Sequence, residues 1–161
     1  MQRKASHSWH QAILRQSRAP QLYAQEIVAD TLEGRFGMLT LVAVLVLRRL
    51  RAEGKAGRKL ADRIYRDVFS GIEHALREEG VGDHSIARKM RARGEAFFGI
   101  ARALDKALEQ NDHQSLIADI LVRNEVCAAD NSADLAAMVV GWADELDKLT
   151  PEQARTGQPG W

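Results

Sequence analysis

The sequence predicts an all-α fold: a single compact domain of five or six main helices around a central, strongly apolar helix. Apolar residues recur at helical spacing almost throughout, and no segment alternates as a half-buried strand does. Only Pro20, Pro151 and Pro159 interrupt the chain, so long helices are free to form. The 161 residues suffice for one domain with a sizeable core, and 45% hydrophobic with 28% charged residues is an ordinary globular balance.

The elements follow in order. Ser8 is placed to cap a first helix, with Gln11 three residues on, running to about Ser17. Residues 1–20 read as a polar, helical N-terminal extension ahead of a main domain over 21–150. Pro20 starts a short helix carrying Leu22, Tyr23, Ile27 and Val28. Asp30, with Glu33 three residues later, predicts the cap of the next helix. That helix is apolar from Phe36 to Leu47 except for Gly37 and Thr40. A membrane span needs about 20 apolar residues, so the run predicts a helix buried on most sides instead. Gly54 to Lys59 reads as a turn.

Leu60, Ile64, Val68, Ile72 and Leu76 then form one stripe, beside Phe69. Gly80 is expected in the left-handed position of a Schellman ending, with Val81 after it. Asp83 or Ser85 is expected to cap a helix whose stripe runs from Ile86 through Met90, Phe97 and Leu104 to Leu108. Gly94 and Gly99 lie inside it, where close approach of another helix would favour them. Asn111 or Asp112 starts a helix with Leu116, Ile117, Ile120 and Leu121. Ser132 is expected to cap the last long helix, through Leu135, Met138, Val139, Trp142 and Leu146. Thr150-Pro151-Glu152-Gln153 is a capping-box pattern with proline at N1, opening a tail over residues 151–161.

Chemistry-bearing patterns are sparse. Lys and Arg number 23 against 22 Asp and Glu, which argues against bulk attraction to nucleic acid. Cys127 is the one cysteine; it reads as a small buried hydrophobe, and neither a disulfide nor a thiolate metal site is expected. His7 and His10 stand three apart with no third ligand near in sequence, so they read as a solvated pair. Glu78 and Glu79 are adjacent, hence divergent on a helix. Gly54 to Lys59 lacks the spacing of a phosphate-binding loop. No enzyme, metal or cofactor is expected, and no small-molecule substrate. Met1 to Trp9 has no apolar core of a secretory signal. Basic clusters stand at Arg48-Arg49-Leu50-Arg51, Arg58-Lys59 and Arg88-Lys89-Met90-Arg91-Ala92-Arg93. The third sits near a helix N-terminus, where cations are disfavoured, and Arg88, Lys89, Arg91 and Arg93 are therefore a candidate patch for anionic lipid, ribosomal RNA or an acidic partner.

Three stretches together resemble one family. They are Asp30-Thr31-Leu32-Glu33-Gly34-Arg35-Phe36, then Ala75-Leu76-Arg77-Glu78-Glu79-Gly80-Val81-Gly82-Asp83, continuing through Ile86 and Lys89-Met90, then Glu95-Ala96-Phe97-Phe98-Gly99. Their order and spacing are similar to the PDT-x-x-GRF, LRE-x-GVGD and FYGR patterns of the ubiquinol-cytochrome c chaperone family, over roughly Leu22 to Val126. Ala29 stands where the family has proline, Phe98 for its tyrosine and Ile100 for its arginine. The histidine usual in the apolar helix has no counterpart among Thr40, Leu41 and Val42, and the family's aspartate ahead of LRE is replaced near Ile72-Glu73. The resemblance implies a diverged, bacterial-type, non-enzymatic assembly factor of respiratory complex III. It implies a protein client (newly made cytochrome b), a small partner protein, and contact with the ribosome or an anionic membrane surface. It also implies a cytoplasmic location, peripheral at the inner face of the cytoplasmic membrane or on the matrix side in mitochondria. An apolar groove rimmed by charge is expected at the corner from Leu76 to Met90. The candidate partner-binding residues are Arg77, Glu78, Gly80, Val81, Gly82, Asp83, Phe97 and Phe98, with Asp30, Thr31, Gly34 and Arg35 as a turn and cap motif. The alternative is a helical adaptor or membrane-surface protein that oligomerises through an amphipathic face.

Overall fold

A computed structural model describes residues 2–157 and 159–161. Among them are eight helices and no strand: α1 (Gln2–Ser17), α2 (Pro20–Ala24), α3 (Leu32–Arg51), α4 (Gly54–Glu78), α5 (Asp83–Leu108), α6 (His113–Arg123), α7 (Ala129–Asp147) and α8 (Pro151–Thr156). Six are long, and α3 is the central one. Every residue from Thr40 to Leu47 is buried, because α1, α4, α5, α7 and α8 all pack on this helix. A helix without a polar face needs such neighbours all round. The Thr40 hydroxyl has no hydrogen-bond partner among the described residues.

Helix α3 begins one residue later than the Asp30 pattern predicts. Extended Thr31 is the cap, its hydroxyl accepting from Gly34 N–H at 3.0 Å, while Asp30 pairs with Arg35 at 2.7 Å. The hydroxyl reaches the third amide of the helix, which leaves the Asp30 carboxylate to the guanidinium. At the other end, Arg49 is largely buried. It donates to the Leu146 and Leu149 carbonyls at 3.0 and 2.7 Å and pairs with Glu53 at 2.6 Å, so one side chain satisfies carbonyls at the close of α7.

The stretch from Gly54 to Lys59 is helical rather than a turn. Ala52 and Glu53 suffice for the reversal, with Gly54 at φ +70°. Gly57 then lets α4 pass beside α3, since a Cβ there would strike the Leu50 carbonyl oxygen. Helix α3 therefore runs antiparallel to α4. Helix α1 begins at Gln2, before Ser8, and runs parallel to α4: Ser6 donates to Asp67, and His10 faces Gly71. Trp9 is fully buried and its indole N–H donates to the Ala154 carbonyl of α8 at 2.8 Å. Helix α8 carries the expected capping box of Thr150 and Gln153.

The end of α4 is the expected Schellman motif. Gly80 lies at φ +85°, Gly80 N–H bonds the Arg77 carbonyl at 3.0 Å, and Val81 N–H bonds that of Leu76 at 3.1 Å. Gly82, not Asp83 or Ser85, is the N-cap of α5, because Arg77 holds the Asp83 carboxylate. Asp112 is the N-cap residue of α6 but makes no side-chain cap bond. Helix α7 starts at Ala129, ahead of Ser132, whose hydroxyl instead donates to the Ala129 carbonyl. Gly94 and Gly99 meet no neighbouring helix: nothing lies within 4 Å of a Cβ at either.

Two contrasts test this packing. Gly34→Ala would push a Cβ onto the Ala29 carbonyl oxygen and is expected to cost roughly 1–3 kcal/mol. Gly99→Ala is expected to add about 0.5–1 kcal/mol. Denaturant titration reads both, and equal effects would contradict the two environments. By the same measurement Arg49→Leu, which strands two carbonyls and Glu53, is expected to cost about 2–3 kcal/mol. Arg48→Leu, whose contacts with Asp105 and Asp147 are long and solvated, is expected to cost less than about 1 kcal/mol.

Candidate functional site

At the end of the α3–α4 hairpin away from its turn, α1, α3 and α4 leave an open groove of about 360 Å³ between them. Its floor is apolar: Leu14 from α1, Phe36 and Leu39 from α3, and Val68, Ile72 and Leu76 from α4. Leu32, the first residue of α3, stands at the lip and is 54% exposed. Gly71 keeps the α1 side open, because the place of its missing Cβ is 4.0 Å from His10 Nε2 and free otherwise. Along α4 the groove extends from Val68 to Glu79, about 16 Å at 1.5 Å per residue.

The rim is charged. Arg18, Arg35 and Arg93 line it, with Glu79 at one end and His10 at the other. Two of the guanidiniums are fixed from both sides. Arg35 lies 4.5 Å over the Tyr23 ring and pairs with Asp30, while the Tyr23 hydroxyl donates to the Ser17 carbonyl at the end of α1. Arg93 lies 4.4 Å over the Phe36 ring and makes a two-pronged bond to Glu33 at 3.0 and 3.2 Å. Both combine a cation–π contact with a charge-assisted bond, which holds the side chains in place at the lip. No cluster of three or more potential metal ligands occurs among the described residues.

The residues singled out from the sequence divide between this groove and other places. Asp30, Thr31, Gly34 and Arg35 come together at its lip, where Gly34 seats α3 against Ala29. Of the basic run on α5, Arg93 reaches the groove, whereas Arg88, Lys89 and Arg91 are exposed outside its lining. Arg77, Glu78, Gly80, Val81, Gly82 and Asp83 build the corner itself. Arg77 bonds Glu73 and Asp83, and His74 lies 3.2 Å from Glu78. The groove lies beside this corner, sharing Leu76 and Glu79 with it. Phe97 and Phe98 do not wall it. Phe97 is 2% exposed and edge-on to Tyr65 and Phe69, so it is core, while Phe98 is 46% exposed on the far side, near Arg48 and Arg51. Sequence reasoning missed the α1 wall. The spacing His10, Leu14, Arg18 marks that face, one step round from the buried Trp9, Ala12 and Ile13. Cys127 is buried as expected, and burial pushes its thiol up.

A model of the ubiquinol-cytochrome C chaperone family matches residues 27–161. The crystal structure of the Cbp3 homolog from Brucella abortus is similar to this chain with a TM-score of 0.86 and 30% identity, over 98% of this chain and 88% of that one. No curated protein matches significantly.

His10 gives the groove a pH dependence. Burial pushes its imidazole below the ordinary value of 6.5, Asp67 pulls the other way, and His7 and Arg18 add to the lowering. The unfolded chain therefore binds this proton more readily than the folded one. The stabilisation is complete above about pH 6.5 and falls as pH drops from there through the lowered folded value. Thermal melts across that window are expected to show the loss, and His10→Gln to remove that part of the slope. An unchanged slope would place the titration elsewhere.

Proposed function

The chain belongs to the ubiquinol-cytochrome C chaperone family, and from that premise we propose that it is a non-enzymatic assembly factor that holds newly made cytochrome b during respiratory complex III biogenesis. The observation that carries this reading is the arginine-rimmed apolar groove between α1, α3 and α4. A membrane-protein client exposes apolar helix faces before insertion, and a groove with a fixed polar rim receives such a face through side chains at i, i+3 or i+4, and i+7. At about 16 Å the groove accommodates some eleven residues of helix, about half of a membrane span. The arrangement shields one stretch of a segment and leaves the remainder for insertion. Arg18, Arg35 and Arg93 favour a client segment flanked by an acidic or carbonyl-rich end. No helix among the described residues is long and apolar enough to cross a membrane, which fits a factor that meets its client from the cytoplasmic face. A small partner protein and the ribosome belong to the same reading, on surfaces outside the groove; exposed Phe98 on α5 is the place for the former.

Leu32 and Ala75 are exposed lining positions, so charge there leaves the fold intact. Leu32→Asp with Ala75→Asp is expected to cut retention of cytochrome b, in a pull-down from native membranes, at least about tenfold, a change of 1.4 kcal/mol or more. Phe98→Ser is expected to leave it unchanged. The reverse pattern would move the client to α5 and defeat the groove reading.

A further inference from the structure

The charge of this nearly neutral molecule is divided between two sides. Residues 1–108 hold twenty Lys and Arg against twelve Asp and Glu, and residues 109–161 hold three against ten. Folding turns the division in sequence into one in space. Helix α4 packs on α1, α3 and α5, whereas α6 packs on α7 and on α5, and α7 on α3; α4 has no substantial contact with α6 or α7.

The basic side has a focus. Lys55, Lys59, Arg63 and Arg66 follow one another at three- and four-residue spacing along the outer face of the first half of α4, with Arg58 beside them. Parallel α1 adds Arg3 and Lys4. Arg63 is half-buried and the other six are exposed. None of the seven forms an ion pair among the described residues, in contrast to Arg35, Arg48, Arg49, Arg77 and Arg93. Asp62 lies among them, in a polar depression of about 220 Å³ shared with Gln2, Lys59, Arg63 and Arg66. The arrangement is unfavourable for the isolated helix. Like charges four apart repel, and the first turn of α4 holds no acidic residue where the dipole favours one. An anionic partner resolves both.

We propose that the α1–α4 face docks on an anionic phospholipid surface, with the carboxylate-rich α6–α7 side turned away. A plane fits the charge distribution. Two helix-packing steps of 8–10 Å separate α4 from α7 across α3, about twice the Debye length of roughly 8 Å at physiological ionic strength. The lipid therefore attracts the near side without repelling the far one. A single-stranded nucleic acid fits less well. The patch offers no free aromatic face for bases, because Tyr65, the one ring within this stretch, is stacked on Phe69.

The test is co-sedimentation of the full chain with phosphatidylcholine vesicles, with and without phosphatidylglycerol. Binding is expected only with phosphatidylglycerol, and is expected to be lost near 1 M salt, where the Debye length is about 3 Å. Each cation contributes about fivefold, so Lys55→Glu/Lys59→Glu/Arg66→Glu is expected to weaken binding about a hundredfold or more. The Lys55→Gln/Lys59→Gln/Arg66→Gln variant serves if the charge reversal lowers helicity by circular dichroism. Arg88→Glu/Lys89→Glu/Arg91→Glu on α5 is expected to change binding less than about fivefold. Equal binding to phosphatidylcholine alone, or equal loss from the two sets of variants, overturns the proposal. So does displacement from vesicles by homopolymeric RNA whose own binding needs the α4 cations, which would make nucleic acid the occupant. The vesicles contain no client, so this outcome is independent of what the groove holds.

Discussion

Eight consecutive buried residues, Thr40 to Leu47, impose the architecture. A helix with no face suited to water needs neighbours on every side, and the chain provides them from five other helices. The remaining geometry follows from how those neighbours approach. Gly57 lets α4 lie close along α3, and Gly34 lets the segment before α3 fold back over its first turn. Gly37 leaves room for Val126 from the loop after α6. Each glycine serves one close approach to the central helix, and a methyl group at any of them would force it or its neighbour aside.

The groove is what remains where this enclosure is incomplete. Near the start of α3 the surrounding helices no longer meet, and Leu32, Phe36 and Leu39 turn toward a gap instead of a partner. Arginines fixed by Tyr23, Phe36 and nearby carboxylates border the opening. Their aromatic and acidic contacts hold the gap's edge in shape without filling it. Groove and core are thus two regions of one helix, differing only in whether the chain covers them.

Some local signals hold, whereas the caps expected at Ser8 and Ser132 lie inside helices that begin earlier. The α4 stripe, the Gly80 ending and the Thr150 capping box are each decided within a few residues, and each appears as expected. The start of α3 was displaced because two adjacent polar residues competed for one role, and geometry favoured the Thr31 hydroxyl. Gly54 to Lys59 has the composition of a loop yet is helical, since packing against Leu50 outweighs the poor propensity of its glycines. Phe97 and Phe98 look alike in sequence but differ by one helical step, which separates core from surface. The groove itself takes walls from residues some sixty apart, and periodicity within one helix carries no information about that pairing.

The bond from Trp9 to Ala154 spans 145 residues and ties the first helix to the last. Helix α1 is also a wall of the groove. Helix α1 precedes α8 in the chain, so it gains this anchor only once α8 has been made. A chain without α8 therefore has one wall of the groove but not its distant anchor. Contacts this distant in sequence also raise the contact order, which slows folding, so the groove's α1 wall is secured only by a slow, long-range closure.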